Sequence, residues 1–478
     1  MQYTSNISTK FFWIGLVVLS ISLLVYQFEI LGVVALFAIP VGFGFSFFAL
    51  KHPSRLLDIT VVCAFLAIGI IRYSGDIPFG LTVDFSLALA FVVAIFHRTL
   101  KADFTKLKNG LMGVTILWMI YCIAEIFNPE AKSIEAWIYA VRGLALYMVL
   151  TIPLTLLYAN KVEDLDRFIK IVLLLSVLAA LWGLKQFYFG PDAAETIWLN
   201  EGKNRSTHVL FGVLRVFSFF SDAGQFGAGM AHSGVIAMVI FLGPFSIKTR
   251  CIALICALLF FFLMIVSGTR GALIVPVAGM LSYLFASKNF KLLVAGLMVL
   301  GAVFAFLKYT TIAHDIYQVR RMRTALDPND ASLQVRFTNR VIINDYLKDK
   351  PFGGGIGTSG SWGQRFTPGT LLAETPNDGW YVRVKAETGV VGLYLHLGIL
   401  IYIGLAGVYK SMKVKDPRLR QKLLALFAGY VGIAVSSYGN PLLGQIPTGI
   451  ILYMTWAYLF LAKDMDQQIA KTHEALNI

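Results

Sequence analysis

Apolar runs of about twenty residues recur along the whole of this chain, and no other feature limits its fold so strictly. At 1.5 Å per residue, a helix of that length crosses about 30 Å of hydrocarbon. Lipid offers no water to satisfy loose backbone groups, so only helices and closed barrels span it. Barrel strands would show weak alternation in segments of about ten residues, and these runs do not alternate. The sequence therefore predicts an all-α fold, a polytopic transmembrane helical bundle. The spans are expected near 11–27, 32–50, 57–72, 79–97, 110–127, 135–158, 168–188, 222–246, 251–267, 270–286, 291–308, 390–409, 423–438 and 442–462.

The connecting segments orient the bundle. With a cytoplasmic N-terminus and alternating spans, the inner segments and both termini carry 22 Lys and Arg, against one in the four short outer turns. That asymmetry predicts both termini in the cytoplasm. It also accounts for the formal charge of +14, so no nucleic acid is expected as a partner. No small-residue cleavage site follows the apolar run after Lys10, and the first span is expected to stay in place. Cys63, Cys122, Cys251 and Cys256 show neither metal-ligand spacing nor a disulfide framework; they read as small buried hydrophobes.

This placement divides the chain. Residues 1–308 hold spans 1–11 with a shorter outer loop at 189–221, residues 309–389 form a large extracytoplasmic loop, and residues 390–478 hold spans 12–14 and a cytoplasmic tail. The large loop carries 10 Lys and Arg and 8 Asp and Glu. Its start, 315–346, can be helical, and a Gly-rich stretch follows. So long an insertion in a compact bundle usually carries function.

Cations gather at the outer end. Arg142 lies inside the sixth span and Lys185 near the end of the seventh. Arg215 precedes the eighth span, Arg270 opens the tenth, and Arg336 and Arg340 lie four apart, on one face of a helix. An arginine at the bilayer centre costs about 2.5–3.5 kcal/mol on insertion scales. Taken singly, each can snorkel or form a local ion pair. As a group they outnumber the intramembrane carboxylates Asp84, Glu125 and Asp222, so an anion from outside the protein would complete the balance. Arginine offers phosphate oxygens a planar fork of donors. In "SGTRGAL" (267–273) the helix start adds free N–H groups. A lipid-linked phosphate at the outer interface is the expected ligand, in contact with the lipid bilayer.

The stretch "GIGTSG", Gly355 to Gly360, matches a dinucleotide-binding glycine pattern, but no strand precedes it and nucleotides are not expected outside the membrane; it reads as a tight-turning loop. His208, His232, His314 and His396 show no zinc spacing. No metal and no cofactor is expected. Trp198, Trp362 and Trp380 fall at outer positions, suited to an interfacial aromatic belt or to stacking on sugars.

Four motifs, "RVFSFFSDAGQFG" (215–227), "SGTRGAL" (267–273), "RFTNRVIINDYLKDKPFGGGIG" (336–357) and "ETPNDGWYVRVKAETGVVGL" (374–393), resemble in kind and order those of the O-antigen ligase/O-antigen polymerase superfamily. These are bacterial inner-membrane glycosyltransferases that act on undecaprenyl-diphosphate-linked glycans. The resemblance implies transfer without metal or nucleotide, from an undecaprenyl-diphosphate-linked donor to another glycan, to a lipid A core sugar or to a protein hydroxyl. It places Arg270 and Arg336 or Arg340, with Arg215, on the diphosphate; Arg142 joins them on the charge argument. One departure stands out. Ligases of this family usually begin the last loop motif with His-Asn and an aromatic residue, whereas this chain has Thr375-Pro376-Asn377-Asp378.

The expected chemistry follows from charge. Breaking the anomeric C–O bond leaves a diphosphate with extra negative charge, which prepositioned arginines stabilise most in the transition state. An acceptor hydroxyl attacking from the opposite face would invert the anomeric centre. Glu374 and Asp378, four apart beside the absent His, are the candidate bases; a solvated loop edge or an ion pair with Arg383 or Lys385 is their alternative. Three functions remain open: a repeat-unit polymerase for O-antigen or exopolysaccharide, a ligase, and a lipid-linked glycan flippase. A flippase should line both leaflets with cations, and here they gather on one side.

Overall fold

A computed structural model of the chain describes residues 52–74, 79–96, 103–202, 204–210, 212–327 and 330–476. The spans expected at 11–27 and 32–50 lie outside these residues. Each of the other expected spans overlaps helix, although 442–447 and 243–246 lie outside it. The chain is an all-α polytopic membrane protein.

The elements run α1 (Pro53–Ser74), α2 (Leu81–Phe96), α3 (Gly110–Ala124), α4 (Ile134–Val141), α5 (Tyr147–Tyr158), α6 (Val162–Phe189), α7 (Ala193–Asn200), α8 (Ala223–Phe241), α9 (Ile247–Val266), α10 (Ile274–Ala286), α11 (Phe290–Tyr309), α12 (Tyr317–Arg323), α13 (Ala331–Tyr346), α14 (Gly360–Phe366), α15 (Trp380–Met412), α16 (Pro417–Ser436), α17 (Thr448–Phe460) and α18 (Ala462–Leu476). Among the described residues, eight helices are long and apolar enough to cross a membrane, and three apolar helices are shorter. The only strands among them are β1 (Val209–Leu210) and β2 (Val213–Leu214), an antiparallel hairpin.

Burial sorts the helices. Every residue of α17 is buried, and α8 is buried over most of its length against α6, α9, α10 and α16. α11 buries none of its residues and sits at the edge, touching α10 and α12. Small residues bring backbones together where lipid supplies no hydrophobic drive. A Cβ at Gly279 of α10 would lie 2.7 Å from the Ala428 carbonyl oxygen of α16, and one at Gly432 of α16 would lie 2.5 Å from that of Val275. Of the cysteines, Cys122 is buried and Cys251 is exposed.

The expected twelfth span begins at residue 390, and the structure gives this boundary a cause. α15 is helical from Trp380, but Gly389 interrupts it with φ 67° and ψ −168°. Such a break strands the carbonyls of the preceding turn. The Gly-rich loop satisfies them: Gly354 N–H donates to Ala386 O (2.9 Å) and Gly355 N–H to Glu387 O (3.0 Å). Tyr121 of α3 donates its hydroxyl to Thr388 O (2.9 Å). A Cβ at Gly353 would come 2.4 Å from Gly389 N. The glycines of this loop serve close backbone approach, and residues 353–359 are buried.

Candidate functional site

The turns at one end of the bundle lie together, and side chains of α12 and α13 reach over them. The hairpin β1–β2 ends on Arg215, whose N–H donates to His208 O (2.8 Å), so the hairpin sets the direction of this side chain. Arg215 Nη2 then donates to Thr269 Oγ1 (2.9 Å), in the turn between α9 and Arg270. Arg321 of α12 donates from Nε to the Gly268 carbonyl in the same turn (2.7 Å). A Cβ at Gly268 would lie 3.2 Å from Arg321 Cδ and 4.0 Å from Arg215 Cγ, so the two side chains pack on one peptide. Arg270 pairs with Asp330 (2.5 Å) and donates to Thr324 (3.2 Å).

Burial, and then the Arg321 charge, push the Arg215 guanidinium down to about 10. Burial likewise lowers Arg321, with Arg270 adding to the effect. Arginine side chains stay cationic in proteins. Asp222, which opposes the shift in Arg215, is already engaged as the N-cap of α8, accepting from Gly224 N (2.7 Å) and Gln225 N (3.0 Å).

The turn 437–440, between α16 and α17, is the second half of the site. Arg340 donates to the Tyr438 hydroxyl and to the Tyr438 carbonyl (3.1 Å), with its guanidinium 4.1 Å above the Tyr438 ring. Arg336, one helical turn earlier on α13, reaches Gly439, where a Cβ would lie 3.5 Å from its Nη1. Asn440 lies against Gly271, next to Arg270; a Cβ there would stand 2.1 Å from Asn440 Nδ2. Trp380 N–H donates to Ser437 O (2.9 Å), and a Cβ at Gly379 would meet Tyr438 O at 2.3 Å. The chain just after Asp378 is thus docked on this turn.

Of the residues singled out in the sequence, the structure brings Arg215, Arg270, Arg336, Arg340 and Asp378 to these two adjoining turns. It does not bring Arg142 or Glu374. Arg142 forms a two-pronged pair with Asp84 of α2 (Nε to Oδ1 3.0 Å) and donates to Tyr147 (3.1 Å). Glu374 is exposed and accepts from Gly369 N (3.2 Å). Neither Arg383 nor Lys385 pairs with the candidate bases: Arg383 pairs with Glu387 (3.1 Å) and Lys385 donates to Asn344 (2.6 Å). Lys185 is balanced internally by Asp192 (2.9 Å) and Glu195 (3.0 Å). The expectation that outer carboxylates are too few is thereby narrowed: Arg142, Lys185 and Arg270 have protein partners. Among the described residues, Arg215, Arg321, Arg336 and Arg340 have no carboxylate within 4.0 Å. Arg215 Nε and Asn440 Nδ2 are buried donors with no hydrogen-bond partner among them, and buried donors ordinarily have one.

Sequence reasoning missed Arg321, Asn440 and Tyr438. The run "VRRMR" (319–323) was a visible signal, but nothing in it says which of three arginines turns inward. It also assigned Trp380 to an interfacial belt or to stacking on sugars; Trp380 is instead buried and donates to His396 (2.9 Å). Trp362 stacks on Tyr139 at 4.9 Å. No group of three or more His, Cys, Asp or Glu among the described residues could hold a metal ion.

A cluster of uncompensated guanidiniums is suited to a multiply charged anion. No family model matches the chain. Over 298 residues it is 24% identical to an O-antigen polymerase of Salmonella muenchen, a match covering 60% of this chain and 70% of that protein. The chain resembles the O-antigen polymerase and ligase superfamily. The many apolar helices make it a multi-pass membrane protein.

Proposed function

We propose that this protein polymerises undecaprenyl-diphosphate-linked oligosaccharide repeat units of O-antigen or exopolysaccharide at the outer face of the bacterial cytoplasmic membrane. The observation that carries the reading is the convergence of Arg215, Arg270, Arg321, Arg336 and Arg340 on the turns 267–271 and 437–440, most of them without a carboxylate partner. The likeness to an O-antigen polymerase supplies the reaction class. The Lys and Arg asymmetry of the loops supports cytoplasmic termini and an extracytoplasmic 309–389.

In this reading the diphosphate of the donor lies among the arginines. As the anomeric C–O bond breaks, its electron pair stays on the diphosphate, and the guanidiniums stabilise that charge more than they stabilise the ground state. The terminal hydroxyl of a second glycan attacks from the opposite face with inversion, and Asp378 takes its proton as the new bond forms. Glu374, turned to Gly369 and to solvent, is not given this role. Leaving-group stabilisation falls to side chains, so the scheme uses no metal.

The test is reconstitution of the purified protein with single lipid-linked repeat units. A ladder of longer lipid-linked chains is the expected product. Transfer of unextended units to lipid A core would instead make it a ligase, and passage of units across the bilayer without a new glycosidic bond would make it a transporter.

A further inference from the structure

An apolar groove of about 560 Å³ runs between α15 and α16. Its wall includes Tyr381, Leu400, Gly404, Val431, Ala434 and Tyr438. Two of its three tyrosine hydroxyls are spent on helix carbonyls: Tyr381 donates to Ala434 O (2.6 Å) and Tyr430 to Leu400 O (2.7 Å). What faces the groove is therefore ring and aliphatic surface. Its outer end is Tyr438, the residue that receives Arg340 on its hydroxyl, its carbonyl and its ring face. One side chain is at once the lip of an apolar groove and the floor beneath a phosphate-binding arginine.

We infer that this groove seats the polyprenyl tail of the lipid-linked donor, with the diphosphate held at Arg340 and Arg336 above it. The inference rests on the transfer reading of the arginine site. Continuity selects the occupant: a tail in the groove leaves its head group at Tyr438. Surrounding lipid is as apolar as the groove, so occupancy gains from dispersion contacts and shape rather than from the hydrophobic effect. Its use is orientation. A tail fixed in direction fixes the diphosphate, and displacement of a reacting centre by about 1 Å can cost about 10²-fold in rate.

The variant Gly404→Leu tests this. A Cβ at Gly404 would meet only Tyr430 Cε1 at 3.6 Å, an ordinary contact, so the added side chain grows into the groove. Transfer is measured with a full-length undecaprenyl donor and with a short-prenyl donor carrying the same diphosphate-oligosaccharide. The expected result is a fall of about tenfold or more in the preference for the long donor; an unchanged preference overturns the inference. A second measurement does not depend on turnover. A photo-crosslinking residue at Ile401, which lines the groove and is 60% exposed, is irradiated with undecaprenyl diphosphate in phospholipid vesicles. Adducts to the polyprenyl chain that unlabelled undecaprenyl diphosphate competes away are expected. Adducts only to phospholipid, or to residues 11–50 of the chain itself, overturn the assignment. A parent protein that forms the polyprenyl adduct yet transfers nothing leaves the groove standing and removes the transfer reading.

Discussion

The Ser359 hydroxyl donates to the Glu387 carboxylate at 2.7 Å, and this bond fastens the Gly-rich loop to the broken start of α15. Asn377 Nδ2 donates to the same Ser359 oxygen (2.8 Å), and Arg383 donates to Glu387 Oε1 (3.1 Å). Glu387 is fully buried. The chain Asn377–Ser359–Glu387–Arg383 therefore holds the residue next to Asp378. Glu387→Leu should cost about 2–4 kcal/mol, below the usual figure of about 3–5 for a broken buried pair because Arg383 keeps some water contact. Ser359→Ala should cost about 1–2 kcal/mol. Thermal unfolding in detergent measures both, and an unchanged midpoint in Glu387→Leu would show the network to be idle.

Burial of Arg215, with the Arg321 charge beside it, costs stability that a bound anion should offset. A cation whose folded pKa is depressed weakens the fold below that pKa, so at neutral pH the pair is a net cost. Pyrophosphate should raise the unfolding midpoint, by about 2.7 kcal/mol of stability at a hundred times its Kd. Arg321→Gln should leave the unliganded midpoint level or higher and abolish most of the gain. A variant that is less stable alone, yet still gains fully from pyrophosphate, would contradict the role given to Arg321.

Arg270→Ala, Arg336→Ala and Arg340→Ala are expected to abolish transfer while the protein still inserts, with lysine rescuing only part because it lacks the planar fork. Arg142→Ala should behave differently. Its partner is Asp84, so stability should fall and the KM for donor should hold. Equal kinetic losses from Arg142→Ala and Arg270→Ala, at matched expression, would erase the distinction.

The two candidate bases now separate. Asp378→Asn should lower kcat by about 10²–10⁴ with donor binding intact. Glu374→Gln should change little. The comparison is made in vitro with lipid-linked repeats; full rate in Asp378→Asn would move the base elsewhere.

Sidedness can be read at Gly369, which is exposed, has φ 77° and offers open space, with nothing within 4 Å of where a Cβ would stand. A short tag inserted there should be reached in intact spheroplasts by an impermeant antibody. Labelling only after lysis would invert the whole orientation.

The sequence by itself determined the helices. Span length and apolarity are local properties, and a run such as 110–127 or 270–286 must become helix in lipid because its backbone has no other partner. The spacing of Arg336 and Arg340 likewise set their common face on α13, since that too depends on a few residues of regular geometry. Which charges meet is another matter. Arg142 finds Asp84 58 positions away, and Arg270 finds Asp330 across α10, α11 and α12; the same arginine pattern is compatible with pairing or with an open site. Arg321 packs on Gly268 while Arg323 turns to the Ile312 carbonyl, a division set by how α12 docks on the turn. The groove ending at Tyr438 exists only because α15 and α16 pack as they do. Long-range packing decides these points, and a linear pattern of residue types carries no term for it.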